Sequence, residues 1–439
     1  MRSLTLSERS ESKGCWRFAA LLSIFIAVPA VAQSDVPTQT PVASPVETPS
    51  AEPTATEWNA ATPTPSQPPV TPTPTPTPTH APVVRGGIYD KPYLQKLGGR
   101  TALGGYADIQ ARHERTDGVV EETTFVAERF NLFTFSNVSD RVRVSAELEI
   151  EEMGEEITLE TAIVDFEIHE MLVLRVGVIL SPLGRFNLAH DSPANDLVER
   201  PLVSTEILAA TLSEPGMGVW GAAYPYASAR VSWEAYLVNG FDERVIGTED
   251  GTRIAAGKGA AEDANATPSM VARLAVSPVP QVEIGLSGHR GPYNTWMLEG
   301  ETIDARRELA IAAIDVDARG ADWAIAGEAA RAWIDVPPGF AGLLADEQAG
   351  WYVEGRYRFG SGLLVELPES AFVVALRHEH VDFDLDRKGD DTRRAIAGLS
   401  FRPTPETAFK LDAVFTRNRD RFALPSASTA VLLGIATYF

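Results

Sequence analysis

Residues 429–439 read Thr-Ala-Val-Leu-Leu-Gly-Ile-Ala-Thr-Tyr-Phe, and their period of two decides the fold class. Thr429, Val431, Leu433, Ile435, Thr437 and Phe439 share one face of an extended chain, while Ala430, Leu432, Gly434, Ala436 and Tyr438 share the other. An aromatic at the end of such a strand fits the wall of a membrane barrel, where aromatic side chains sit at the boundary between hydrocarbon and water. The last strand of a soluble sheet would alternate in the same way, so the rest of the chain has to separate the two.

At the other end, Arg2, Arg9, Lys13 and Arg17 precede an apolar stretch from Ala19 to Ala32 that closes on Ala30-Val31-Ala32. This is the pattern of an export signal with a small-x-small cleavage site, expected over residues 1–32. The stretch is too short for a spanning helix, and no later run approaches the roughly 20 apolar residues that one needs. If the mature chain enters a membrane it does so as a closed barrel, because only helices and closed barrels pair all their backbone polar groups in hydrocarbon. Cys15 is the sole cysteine and precedes the apolar stretch, so neither a disulfide nor a lipid anchor on the mature chain is expected.

The formal net charge is -22; residues 1–32 hold four basic and two acidic residues, so their removal takes the chain to about -24. Such a balance excludes nucleic acid as a partner, because phosphate binding needs a basic footprint. Residues 33–97 are read as a periplasmic spacer. Their 34–83 portion is dominated by Pro, Thr, Ser and Ala and ends in repeated Thr-Pro pairs, a composition that stays extended and buries no core.

From 98 to 439 the sequence predicts an all-β chain, an antiparallel transmembrane β-barrel of about 16 strands: 102–112, 124–135, 141–151, 157–167, 172–180, 217–224, 229–239, 268–277, 281–289, 306–316, 321–334, 349–359, 370–381, 393–402, 406–417 and 428–439. In 141–151, Val142, Val144, Ala146, Leu148 and Ile150 alternate with Arg141, Arg143, Ser145, Glu147, Glu149 and Glu151. The strand 157–167 changes face near Asp165. Even-numbered connections are mostly short and odd-numbered ones mostly long, as at 113–123, 181–216 and 240–267. Tight periplasmic turns and longer external loops require this alternation, and an even strand count returns both ends to the periplasm.

The connection 181–216, SPLGRFNLAHDSPANDLVERPLVSTEILAATLSEPG, lies between the fifth and sixth strands. It holds five carboxylates against two arginines, with a short helix expected over 205–212. Its Pro-Leu-Gly-Arg-Phe-Asn, His-Asp, Glu-Arg-Pro-Leu-Val and Glu-Pro-Gly-Met-Gly-Val segments resemble bacterial outer-membrane porins, specifically the phosphate-selective O and P type. Gly434 and Phe439 likewise resemble the C-terminal assembly signal of outer-membrane barrels, although Thr437 stands where an aromatic is usual and Leu432 where a polar residue is. The resemblance implies a water-filled channel for passive diffusion of small hydrophilic solutes or ions. It also implies a third external loop folded inward to narrow the channel, and as partners outer-membrane lipid, the barrel assembly machinery and a possible homotrimer. An acidic loop is at odds with phosphate selectivity.

A lumen of sixteen strands selects nothing without a narrow point, where charge clusters set ion preference. Candidate constriction residues are Arg185, Asp191, Asp196, Glu199, Arg200 and Glu206; candidate wall residues are Arg141, Arg143, Glu147, Glu149 and Arg175. The arginines could set a transverse field against the loop or pair with interior glutamates; the sequence leaves both open. His378 and His380 share a strand face without a third ligand at a clear spacing, so no metal and no cofactor is expected. Trp220, Trp233, Trp296, Trp323, Trp333 and Trp351 are expected to be interface anchors or loop packing rather than a ligand-stacking track. No nucleophile elbow, phosphate-cradling glycine loop or HExxH motif marks an enzyme. The rival reading is a non-conducting structural or adhesive barrel with a packed interior.

Overall fold

The computed structural model describes residues 95–98 and 101–439, apart from 227, 260–261 and 264–266. The expected signal segment 1–32 and spacer 33–97 therefore lie outside the described residues, except for the four-residue strand Gln95–Gly98. Sixteen antiparallel strands follow, each paired with its neighbour in sequence. They are β1 (Thr101–Thr116), β2 (Val119–Asn137), β3 (Val142–Glu151), β4 (Glu156–His169), β5 (Leu172–Leu180), β6 (Ser213–Tyr226), β7 (Ala229–Val238) and β8 (Ser269–Val279). The second half comprises β9 (Val282–Pro292), β10 (Glu308–Arg319), β11 (Trp323–Ile334), β12 (Glu347–Phe359), β13 (Ala371–Asp382), β14 (Asp391–Thr404), β15 (Thr407–Arg419) and β16 (Pro425–Tyr438). β16 pairs with β1, from Ser428↔Thr116 to Tyr438↔Tyr106, and this closes the barrel.

Alternation works as the sequence predicts. Val431, Leu433 and Ile435 are 50%, 52% and 46% exposed on the outside, while Leu432 and Ala436 are buried inside. The sixteen-stranded wall closes on itself, so each of its strands can meet hydrocarbon with its backbone paired on both sides. Near the short-turn end, Phe359, Phe372, Phe401 and Phe409 follow one another across β12–β15 with ring centroids 5.7, 5.0 and 6.3 Å apart, forming part of an interfacial girdle. Trp323, Trp333 and Trp351 are exposed on the outside. Trp220 is not an interface anchor: its indole N–H donates to Asp165 at 3.3 Å and its ring lies under the Arg175 guanidinium at 5.2 Å, inside the barrel. At the seam, Phe439 exchanges backbone hydrogen bonds with Gly105 at 3.0 and 3.1 Å and stacks on Phe130 at 5.4 Å. Gly105 is required there, because a Cβ would lie 2.2 Å from the Asn131 carbonyl oxygen and 2.6 Å from the Phe439 ring.

Several local expectations are corrected. The connection expected at 113–123 is strand: β1 and β2 run on to a two-residue turn, Asp117-Gly118, with φ of 51° and 86°. Two consecutive positive φ values are the type I′ geometry that Asp-Gly favours. The face change in β4 comes at a bulge rather than at Asp165, since Glu147 pairs with Thr161 but Leu148 pairs with Leu159. The extra residue, Glu160, is thereby turned inward and buried. Residues 181–212 form the fifth connection, because β6 begins at Ser213, and its helix is α1 (Leu202–Glu206) rather than 205–212.

Candidate functional site

A chain segment inside a barrel must find partners for its own N–H and C=O groups, in the wall or in lumen water. The connection 181–212 meets this demand by lying across the lumen and bonding to the far wall. Its base is tied first: Ser181 N–H donates to the Leu212 carbonyl at 2.8 Å, and the Asn187 side chain bridges Ser181 and Leu212. Beyond the base, carboxylates on inward positions of the wall accept loop N–H groups. Glu328 takes Phe186 at 2.6 Å, Asp412 takes Val198 at 2.7 Å and Glu379 takes Leu202 at 2.7 Å. Wall cations donate to loop carbonyls: Lys410 to Ser192 at 2.8 Å, Arg402 to Pro193 at 2.9 Å and Arg377 to Glu199 at 2.6 Å.

The side chains of the loop are matched in the same way. Glu199 sits between Arg112 of β1 at 3.3 Å and Arg394 of β14 at 3.2 Å, so it joins two strands across the barrel seam. Asp196 pairs with Arg402 at 2.8 Å and lies 3.8 Å from Arg356. The Tyr438 hydroxyl donates to Asp191 at 3.1 Å. Arg185 reaches Asp317 at 3.6 Å and Glu283 at 3.8 Å. Arg200 is half-buried, its Nε and one terminal nitrogen without a hydrogen bond, while its carbonyl accepts from Arg394. Glu206, the last residue of α1, has its carboxyl pKa raised by burial against the pull of Arg253, Arg394 and Lys258.

The near wall is built differently. Glu147, Glu149 and Glu160 converge on the amide of Asn131, whose Nδ2 lies 2.9, 3.2 and 3.3 Å from them. His190 of the loop completes this network, with Nε2 2.8 Å from Glu160 and Nδ1 2.8 Å from the Asn187 carbonyl. Burial works against a charged His190, but the Glu160 carboxylate outweighs it and holds its pKa above the ordinary value. Arg175 forms a bidentate pair with Asp165 at 2.8 and 2.9 Å. Arg143 is half-buried, 5.9 Å over Trp220, and Arg141 is exposed in the turn before β3. The cations that face the loop carboxylates therefore come from β1 and β12–β15, not from Arg141, Arg143 and Arg175.

On the opposite side the loop is apolar. Val203, Ile207 and Leu208 pack with Ile311, Ile334 and Val381 of the wall and with Phe241, Val245 and Ile254 of the connection 239–268, all buried. Sequence reasoning missed Arg112, Glu328, Glu379, Arg394, Arg402, Lys410 and Asp412. Each stands on the inward parity of its strand, and Glu328, Lys410 and Asp412 stand between apolar or small outward neighbours, a signal that could have marked them. His378 faces outward 5.5 Å from Trp351, and no group of three or more His, Cys, Asp or Glu residues that could hold a metal ion occurs among the described residues.

Comparison with known proteins adds to this geometry. No family model matches the chain. A protein of Aquifex aeolicus (strain VF5), described as uncharacterized, is 29% identical over 158 residues, 34% of this chain and 34% of that protein, so the match spans about a third of the relative's length. Among solved structures, the outer membrane channel DcaP of Acinetobacter baumannii has a TM-score of 0.51 at 13% identity, covering 79% of this chain and 99% of that one. The anion-selective porin from Comamonas acidovorans has a TM-score of 0.50 at 12% identity, covering 77% and 99%. The chain shares their fold. The phosphate-selective O and P type is not among these likenesses.

Proposed function

We propose that the protein is an outer-membrane channel for passive diffusion of small hydrophilic solutes or ions, narrowed by the loop 181–212. The observation that carries this reading is the Arg112–Glu199–Arg394 bridge: an inward-folded loop strapped to the far wall by charge, in a barrel whose polar parity faces inward. The fold shared with DcaP and with a porin supports it. Asp191, Asp196, Glu199, Arg185, Arg200 and Glu206 line the narrow region, and Glu147, Glu149, Arg143 and Arg175 its wall. The dry cluster around Val203, Ile207 and Leu208 favours a second reading, a non-conducting structural or adhesive barrel with a packed interior. Unitary current steps of the purified protein in a planar bilayer decide between them: discrete steps support the channel, and a silent, correctly folded barrel supports the rival.

On the same reading, residues 1–32 are removed on export, residues 33–97 form a periplasmic spacer, and three copies assemble in the membrane. Gly434 and Phe439 serve as the signal read by the assembly machinery. Removing Phe439 lowers the yield of assembled barrel far more than Tyr438→Phe, because the terminal residue closes the seam whereas the Tyr438 hydroxyl faces the lumen and donates to Asp191. Equal yields of heat-modifiable barrel from the two variants would contradict this.

A further inference from the structure

The outer surface carries a feature that diffusion through the lumen does not use. Cross-strand pairing places His380 of β13 opposite Arg393 of β14, and Arg393 opposite Arg417 of β15, in one row on the outward face. Neighbouring strands lie about 4.8 Å apart, and like charges directly opposite one another destabilise a sheet. The row is incompletely neutralised. Asp391 is shared among Arg419, His380 at 3.5 Å and Arg393 at 3.7 Å, and Arg417 has no carboxylate within ion-pair distance among the described residues. Arg393, Arg417 and Arg419 line a groove of about 480 Å³, whose acidic residues are Asp117 and Asp391. Asp117 accepts the Ala427 N–H at 3.1 Å.

The position of the row gives its partner. It lies toward the end bearing the long connections, and four residues farther into the wall, past the mixed row His378, Ala395, Phe415 and Thr429, the same face becomes apolar in the row Leu376, Ala397, Ala413 and Val431. An outward basic row on the external side of an apolar belt, separated from it by one mixed row, stands where lipid headgroups meet the barrel. Guanidinium groups are suited to phosphate oxygens, which they bind with two parallel hydrogen bonds. We propose that His380, Arg393, Arg417 and Arg419 form a docking site for the phosphate monoester headgroup of an anionic lipid in the external leaflet. The proposal rests on the reading of the chain as an outer-membrane barrel but not on whether its lumen conducts.

The test uses the full barrel in detergent, titrated with short-chain phosphatidic acid, with phosphatidylcholine of the same chain length, and with inorganic phosphate, binding being read by native mass spectrometry. The wild type should retain phosphatidic acid about tenfold or more tightly than phosphatidylcholine, and inorganic phosphate at matched concentration should not displace it. Arg393→Gln with Arg417→Gln should abolish the preference while leaving heat-modifiable mobility and bilayer conductance unchanged, because neither side chain enters the lumen. Equal retention of the two lipids, an unaltered preference in the double variant, or displacement by inorganic phosphate would overturn the proposal. A barrel that binds the lipid but passes no current would contradict only the channel reading.

Discussion

Along β1–β4 the loop 181–212 meets Glu160 through His190, and Glu160 shares the Asn131 amide with Glu147 and Glu149, whereas against β10–β13 the same loop buries Val203, Ile207 and Leu208 on Ile311, Ile334 and Val381. Apolar contact depends little on pH or salt, and it is non-directional. Charged contact depends on both and sets the local field. The division of labour follows: both kinds of contact hold the loop inside the barrel, the apolar side with little dependence on pH or salt, and the charged side alone sets what the narrow region prefers.

The contrast can be broken most forcefully at Leu208. Leu208→Asp places an unpaired carboxylate in the dry cluster, at a cost of about 3–5 kcal/mol, so the loop should leave the lumen. Single-channel conductance should rise, and limited proteolysis should begin to cut within 181–212. Unchanged conductance and protease resistance would mean that the apolar side does not hold the loop.

A smaller effect is expected at Glu199. Glu199→Gln keeps the shape of the bridge but leaves Arg112 and Arg394 without their shared carboxylate, in a confined space where screening is weak. The reversal potential in a salt gradient should move toward anions, with conductance nearly unchanged. Because the bridge is partly exposed, its loss should cost no more than about 1 kcal/mol of stability. A reversal potential identical to wild type would remove Glu199 from the narrow point.

The smallest effect concerns His190. Its folded pKa is raised above the ordinary value of 6.5, so the stability contributed by charged His190 beside Glu160 is fully present below about pH 6.5 and is lost as pH rises through the raised value. The difference in thermal midpoint between wild type and His190→Gln should therefore be largest in mild acid and shrink as the pH is raised through that value. A difference that stays flat across this range would show that His190 is neutral in the folded barrel.

How much of this was legible differs between the wall and the loop. All sixteen strands were readable, since a lipid-facing wall imposes a period of two on every strand independently. The first hairpin extension escaped because His113, Glu114, Arg115, Glu121 and Glu122 read as a polar loop. The decisive signal was the pair Asp117-Gly118 between two alternating runs. The loop could be recognised as an occupant of the lumen from its length and place, but its partners could not be assigned. Glu199 finds Arg112 and Arg394, 87 and 195 residues away, only because β1 and β14 are brought near each other by closure of the barrel. Asp196 and Arg402 meet for the same reason. Parity shows which residues face inward; which of them meet depends on the register of the closed sheet.

The most direct measurement is the single-channel conductance of a barrel in which residues 189–209 are replaced by a short glycine linker. The hydrogen bonds between Ser181, Asn187 and Leu212 are retained, so β5 and β6 keep their connection. If the loop is strapped across a water-filled lumen, the excised barrel should conduct in larger steps than the wild type and lose its dependence on Glu199. A folded, excised barrel with the wild-type conductance and ion preference would contradict the account.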